Sequence, residues 1–291
     1  PLHIQASFPK FLYEKFIAAL PKAKGHETCL VCNEEAPVTV RINPEKTTRK
    51  AFIELIKDRD PTPTTHSPWG ITFPKKLDFF SWPCFKQGHF EVQDEGSQLI
   101  AELIDAKAGD HVLDYCAGAG GKTLAFAHQL EGKGQIYLHD IRDHALANAK
   151  LRLKRAGVQN IQITPTKTLK KPRFKNKMDW VLLDVPCSGS GTLRRNPEIK
   201  WNLKQEDLDN LIKTQRAIFE NALHFLHPNG KIVYATCSLF KEENEDQIAY
   251  FEKTYGVKRE GKPFKSLPTS GGMDGFFAVV LSAPQHKDTE L

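Results

Sequence analysis

The feature that most restricts the fold of this chain is the run Trp180-Val-Leu-Leu183, which stops at Asp184-Val-Pro-Cys187 and breaks into Ser188-Gly-Ser-Gly191. Four apolar residues without polar alternation, ended by a carboxylate and a proline, predict a strand buried on both faces, as parallel sheets require. In open α/β sheets the crevice beyond the carboxyl ends of the strands holds the ligand, and Gly189 and Gly191 let the backbone approach it. Asp184 and Cys187 are therefore expected to face a site. Taken alone, Asp184 reads as a turn cap and Cys187 as a small buried hydrophobe. A second run of the same form, Lys231-Ile-Val-Tyr-Ala-Thr-Cys237-Ser, brings another cysteine to a polar tip and turns the reading toward chemistry.

From Gln93 onward strand and helix patterns alternate, which predicts an α/β domain with a parallel sheet covered on both sides. Strands are expected at 111–115, 135–138, 161–164, 178–183 and 231–235, helices at 96–103, 123–130, 144–155 and 208–225, and a late antiparallel strand at 275–281. The first ~90 residues read differently. Amphipathic helices at 9–20 and 47–57 flank an alternating strand at 37–43, and Pro61, Pro63, Pro68, Pro74 and Pro83 then break any long element. This predicts a small N-terminal α+β domain with a linker, residues 1–90, ahead of a catalytic domain, residues 91–291.

Length and composition agree with a small and a large domain, since 291 residues at 40% hydrophobic content allow an ample core. No run approaches the roughly 18 apolar residues of a membrane span, and no signal-peptide pattern opens the chain, so a soluble cytoplasmic protein is expected, without a membrane partner. The chain begins at Pro1 without an initiator methionine, as a processed chain or a piece of a longer one would. The net charge of +6 is modest, but three basic clusters flank the proposed crevice. They are Lys150, Arg152, Lys154 and Arg155; Lys167, Lys170, Lys171, Arg173, Lys175 and Lys177; and Arg194 with Arg195. A charge run is usually a solvated face, yet three around one site favour a nucleic-acid partner, since phosphate contacts supply most non-specific affinity. The six cysteines have no disulfide-scaffold spacing and are expected to be reduced thiols. His26, Cys29 and Cys32 would be half a zinc site at most, and no second ligand pair is found, so no metal is expected.

The glycine-rich turn Cys116-Ala-Gly-Ala-Gly-Gly-Lys122-Thr sits between a predicted strand and a predicted helix. It ends like a Walker loop, but that loop's first glycine falls on Cys116. The dinucleotide fingerprint fails as well, because Thr123 stands where Gly or Ala is needed. Asp140 ends the second strand at about the 20-residue distance from which a carboxylate takes ribose hydroxyls. A ribose-binding acid beside a turn unsuited to triphosphate suggests an adenosine ligand with no long phosphate chain, with S-adenosylmethionine the obvious candidate. Alone, Asp140 reads equally well as a helix cap.

Four long segments together are more specific. Asp114-Tyr-Cys-Ala-Gly-Ala-Gly-Gly-Lys-Thr123, Asp184-Val-Pro-Cys-Ser-Gly-Ser-Gly-Thr192, Arg194-Arg-Asn-Pro-Glu-Ile-Lys-Trp201 and Tyr234-Ala-Thr-Cys-Ser238 resemble, in order, the motifs of the RsmB/Sun family of RNA cytosine-5 methyltransferases. Val92-Gln-Asp94 and Gly272-Met-Asp-Gly-Phe-Phe277 extend the resemblance over nearly the whole chain. It implies a Rossmann-like S-adenosylmethionine domain behind a small RNA-binding domain. Cys116, Ala117, Gly118, Ala119, Gly120, Gly121 and Lys122 would line the cofactor, Asp140 would hold its ribose, and Asp184 would lie between cofactor and base. One departure is that Thr164-Pro-Thr166 stands where the family usually has an acid near the adenine.

Carbon 5 of cytosine is a poor nucleophile, and addition of a thiolate to carbon 6 activates it. The resemblance assigns this attack to Cys237 and release of the enzyme to Cys187, with Asp184 bonded to the cytosine and Lys122 orienting these groups. A DNA methyltransferase of the same fold would attack with Cys187 instead, leave Cys237 without a role and need a base-reading region that this chain lacks. A non-catalytic RNA-binding protein is the alternative from another class. The end of the sequence soon after the late strand resembles the 16S ribosomal RNA branch, although the N-terminal helical domain often found there is not in this sequence. Ribosomal RNA is the expected partner, transfer RNA the alternative, and a monomer the expected state.

Overall fold

The computed structural model describes residues 1–284. It divides into two compact units, Pro37–Asp184 and Pro1–Ala36 together with Val185–Leu291.

In the unit Pro37–Asp184, four strands run parallel in the order Met178–Asp184, His111–Asp114, Gln135–Leu138, Ile161–Ile163. Val112, Leu113, Ile136, Leu138, Val181, Leu182 and Leu183 are all 0% exposed, as continuous apolar runs in a doubly covered sheet demand. Register then places the polar ends. Asp114 lies opposite both Leu182 and Leu138, so Asp184 and Asp140 each stand two residues farther along their own strands. Three carboxylates thus gather at the carboxyl end of this sheet.

The same unit holds an antiparallel sheet in the order Thr62–Pro63, Gly70–Phe73, Val38–Ile42, Phe90–Val92. Val40, Ile42, Phe52, Ile71, Phe79 and Phe90 form its core, with Phe90 against the rings of Phe52 and Phe79 at 5.3 and 5.5 Å. The proline-rich stretch contributes only short strands, and Pro63 sits at the sheet edge, where its missing N–H is tolerated. Asp94 caps the helix Glu95–Glu102 by accepting from the Gly96 N–H at 2.8 Å.

The other unit is built on the antiparallel strands Lys258–Ser266, Phe276–Ser282 and Leu226–Thr236, with Val279 opposite Tyr234 and Phe277 opposite Thr236. The late strand is antiparallel, as the sequence predicts. The Leu226–Thr236 strand starts earlier than expected, running through Pro228 and Gly230. Helices Gln205–Leu223 and Glu245–Tyr255 meet through Phe219 and Phe251, stacked with centroids 3.7 Å apart. The second of these helices, the Lys258–Ser266 strand and the helix Lys22–Val31 were not expected from periodicity. In Lys22–Val31 only Gly25, Thr28 and Cys29 are buried, so no apolar stripe announces it. Cys29 and Cys32 belong to its apolar core with Phe16 and Phe240, and burial pushes both thiols up to about 12. His26 bonds the Tyr13 hydroxyl at 3.0 Å, and the described residues contain no cluster that would hold a metal. No helix among them is long and apolar enough to cross a membrane.

Candidate active site

The glycine turn is shaped by its own backbone. Ala117 N–H donates to the His139 carbonyl at 2.9 Å and Gly120 N–H to the Ala117 carbonyl at 2.8 Å, which folds the turn against the second strand's end. Gly120 has φ +74°, where a side chain is strained, and a Cβ there would meet Ala149 at 3.2 Å. Over Gly121 an added Cβ would meet nothing within 4 Å, so this backbone is open to a ligand. Gln93 ties the turn to the antiparallel sheet, donating to the Gly121 carbonyl at 3.2 Å while accepting from buried Arg41 at 2.9 Å.

Asp140 accepts from the Gly118 N–H at 2.8 Å and from the backbone N–H, Nε and Nη2 of Arg142 at 2.9, 3.0 and 3.1 Å. Burial works to raise its pKa, but these hydrogen bonds outweigh it and hold the carboxylate below its usual range. A carboxylate offers about four lone-pair sites, so the four donors saturate it. The ribose role implied by resemblance therefore requires the Arg142 side chain to move away.

Lys122, in the first turn of the helix Gly121–Phe126, reaches Asp184 Oδ2 at 2.5 Å. Its side chain is only 10% exposed, so it is no solvated surface lysine. Asp114 accepts from Thr123 Oγ1 at 2.6 Å, while its other oxygen, Oδ1, is buried without a hydrogen-bond partner. Burial pushes the Asp114 carboxyl up to about 7, against the pull of the Thr123 bond. Burial and the charges of Asp114, Asp184 and Asp140 hold the Cys116 thiol well above its ordinary value, which disfavours the thiolate there. After the third strand there is no acid. Thr164 is buried, and Thr166 Oγ1 lies 2.9 Å from His139 Nε2, whose Nδ1 is 2.7 Å from the Tyr115 carbonyl. The orphaned Asp114 oxygen and the open glycine backbone fit an adenosine ligand carrying a cationic tail, and Asp140 joins them only once the Arg142 side chain moves away.

In the other unit, the sulfurs of Cys187 and Cys237 are 3.3 Å apart, and the Cys237 N–H donates to the Cys187 sulfur at 3.3 Å. The hydrogen bond to Cys237, then burial, then the charges of Cys237 and Glu243 push the Cys187 thiol well above its ordinary value. Three motifs interlock around the pair. Gly191 N–H donates to the Cys237 carbonyl at 2.9 Å, and Gly275 N–H to the Gly191 carbonyl at 2.8 Å. A Cβ on Gly191 would lie 2.1 Å from the Gly275 carbonyl oxygen, so only glycine permits this approach. Asp274 binds Arg194 Nε and Nη2 at 2.9 and 2.7 Å and also pairs with Arg195.

That pairing corrects part of the basic-cluster reading. Arg194 is buried and also donates to the carbonyls of Thr269, Gly272 and Met273, so it braces a loop instead of meeting phosphate. Arg152 and Arg155 likewise pair with buried Glu91, at 3.0 and 2.5 Å. The six cations from Lys167 to Lys177 are exposed, and none has an ion pair among the described residues. Sequence reasoning missed Arg142, two residues from its partner Asp140, and Glu243, and held Asp274 only as part of the Gly272–Phe277 motif; the partners of Asp274 and Glu243 are brought in by folding.

Residues 101–282 match the family described as 16S rRNA methyltransferase RsmB/F, and residues 8–79 match its RsmF/B-like, ferredoxin-like domain. The chain belongs to this family. It is 31% identical over 288 residues to the probable ribosomal RNA small subunit methyltransferase B of Synechocystis sp., covering 97% of this chain and 64% of that protein. The chain thus spans less than two thirds of the length of curated relatives it matches. Among solved structures, a protein designated PH0851 superposes with a TM-score of 0.89 at 26% identity, over 96% of this chain and 67% of that one. NSun6 from Pyrococcus horikoshii, solved with SFG, superposes with a TM-score of 0.83 at 21% identity, over 94% of this chain and 98% of that one. The fold is the Rossmann-like one of S-adenosylmethionine-dependent methyltransferases, with a mixed α/β sheet and a ferredoxin-like N-terminal domain.

Proposed function

We propose that this protein is an S-adenosylmethionine-dependent RNA (cytosine-5) methyltransferase, a cytoplasmic monomer acting on 16S ribosomal RNA. Residues 1–90 serve as the small RNA-binding domain and residues 91–291 as the catalytic domain. The observation that carries the reading is the pair of thiols 3.3 Å apart, each at the tip of a strand-and-turn motif of the family. A one-cysteine DNA-type scheme has no use for the second thiol. When bound, S-adenosylmethionine supplies an electrophilic methyl group, and Cys116 to Lys122, Asp140 and Asp184 are the residues that would hold it.

The Cys237 thiolate adds to carbon 6 of the cytosine, and the ring electrons it displaces make carbon 5 nucleophilic. A protonated Cys187 donating to the Cys237 sulfur favours the thiolate there, since hydrogen bonding to a charged form stabilises it. Asp184, oriented by Lys122, bonds the ring and supports protonation of its nitrogen as charge develops. After transfer the proton leaves carbon 5, the sulfur–carbon 6 bond breaks and the aromatic ring is restored, with Cys187 assisting this release.

The test is to incubate Cys237→Ala and Cys187→Ala with substrate RNA and S-adenosylmethionine and look for a protein–RNA adduct on denaturing gels. Cys237→Ala should form none, and Cys187→Ala should accumulate it. The reverse pattern would establish the DNA-type scheme. Bisulfite sequencing of cellular RNA with and without the gene identifies the substrate. Loss of a single cytosine mark in 16S RNA is expected, and loss confined to transfer RNA would move the assignment there.

A further inference from the structure

We infer that Glu243 is a positioning residue that sets the spacing of the two thiols, acting through the serine that follows each cysteine. The inference rests on the reading above for its functional consequence but on geometry for its substance. Glu243 is 0% exposed, and its carboxylate accepts from the Ser188 N–H at 2.8 Å through Oε1 and from Ser238 Oγ at 2.5 Å through Oε2. Ser188 directly follows Cys187 and Ser238 directly follows Cys237. One buried carboxylate therefore holds both cysteine turns, which lie 50 residues apart in the chain.

Its neighbours complete the frame. Gln215 donates to Glu243 Oε1 at 2.9 Å and to the Pro186 carbonyl at 3.0 Å, so Cys187 is gripped on both sides. Asn244 accepts from Thr236 Oγ1 at 2.6 Å and donates to the Ser238 carbonyl at 2.8 Å, so Cys237 is gripped likewise. The serine hydroxyls of 188 and 238 also meet directly at 3.1 Å. Tyr234 fixes the base of the frame by donating to the Glu243 carbonyl at 2.8 Å. Cys187 interacts electrostatically with Cys237 and Glu243, and Tyr234 with Glu243, Cys187 and Arg216.

Loss of the carboxylate leaves the Ser188 N–H and one of the two Gln215 amide hydrogens buried without an acceptor, the other staying on the Pro186 carbonyl, and the two turns lose their common tie. Glutamine can stand in for it. Its carbonyl keeps the Ser188 and Gln215 bonds, and its amide donates to Ser238 Oγ, which redirects its own proton to Ser188 or Ser190, 3.1 and 3.2 Å away.

The experiment measures thiol spacing without RNA. The purified full chain is treated with the diazene oxidant diamide, which takes two protons and two electrons from a thiol pair to form a disulfide and a hydrazine. The rate of Cys187–Cys237 disulfide formation is read by mass spectrometry after free thiols are blocked. Glu243→Ala should slow it by roughly tenfold to a hundredfold, the loss expected when reacting atoms drift apart by about 1 Å. Methylation kcat should fall by a similar factor with KM for RNA unchanged, and Glu243→Gln should recover most of both. Should Glu243→Ala not fold, Ser238→Ala releases only the Cys237 side and should slow disulfide formation on its own. A folded Glu243→Ala, or failing that Ser238→Ala, that closes the disulfide at the wild-type rate overturns the inference. A wild-type chain that methylates no RNA sinks the proposed function and leaves the spacing result standing.

Discussion

Replacing Asp274 by leucine tests how the three motifs around the thiols are held. The side chains of Asp274 and Arg194 are both 0% exposed, and the carboxylate receives Arg194 at 2.7 Å. Taking away one partner of such a pair leaves a buried charge uncompensated, which typically costs about 3–5 kcal/mol. Arg194 keeps the carbonyls of Thr269, Gly272 and Met273 at 2.8, 2.9 and 2.9 Å, so the lower end of that range, about 3 kcal/mol, is expected. With a urea slope of roughly 3 kcal/mol/M, the unfolding midpoint should drop by about 1 M. Adding Arg194→Met to Asp274→Leu removes the uncompensated charge but also the donor to those three carbonyls, so the double variant should recover only part of the loss. Urea unfolding of wild type, both single variants and the double variant measures this. A cost below about 1 kcal/mol for Asp274→Leu, or a double variant worse than the single, would refute the argument.

At the glycine turn, Asp140→Ala should weaken S-adenosylmethionine binding by roughly 1–3 kcal/mol, and Arg142→Ala should tighten it by freeing the carboxylate for the ribose; calorimetry reads both, and unchanged affinities would leave Asp140 as a loop brace only. Neutralising Lys170, Lys171 and Arg173 together should reduce the slope of log RNA affinity against log salt; an unchanged slope would make them a merely solvated face. Asp114 has its folded pKa raised to about 7 from 3.8, so the native state holds a proton that the unfolded chain has lost. Its contribution therefore favours folding at low pH and fades as pH rises through that window, by at most about 1.4 kcal/mol per pH unit. Asp114→Asn should flatten this part of the stability profile, and equal slopes for the two proteins between the two pKa values would sink the assignment.

Local pattern decided much of this protein before folding is considered. The Trp180 to Leu183 run, the Asp114 to Thr123 turn and the 231–235 run mark strands and their polar tips because a buried strand leaves a continuous apolar signature and a ligand turn needs glycine. Cys187, Cys237, Asp184, Lys122 and Asp140 stand out for the same reason, since each occupies a strand end or a glycine turn. Charge counts were a poorer guide. Arg152, Arg155 and Arg194 look identical to Lys170 in a sequence, yet the first three answer buried carboxylates while the last is exposed. Their partners Glu91 and Asp274 lie 61, 64 and 80 residues away, and no local rule connects positions so distant. Glu243 was concealed in the acidic stretch Lys241-Glu-Glu-Asn-Glu245, which reads as a solvated face. Only tertiary packing, by bringing the serines after two distant cysteines onto one carboxylate, distinguishes that glutamate from its neighbours. Chain chemistry named the reactive groups, and long-range burial and hydrogen bonding decided which charges serve them.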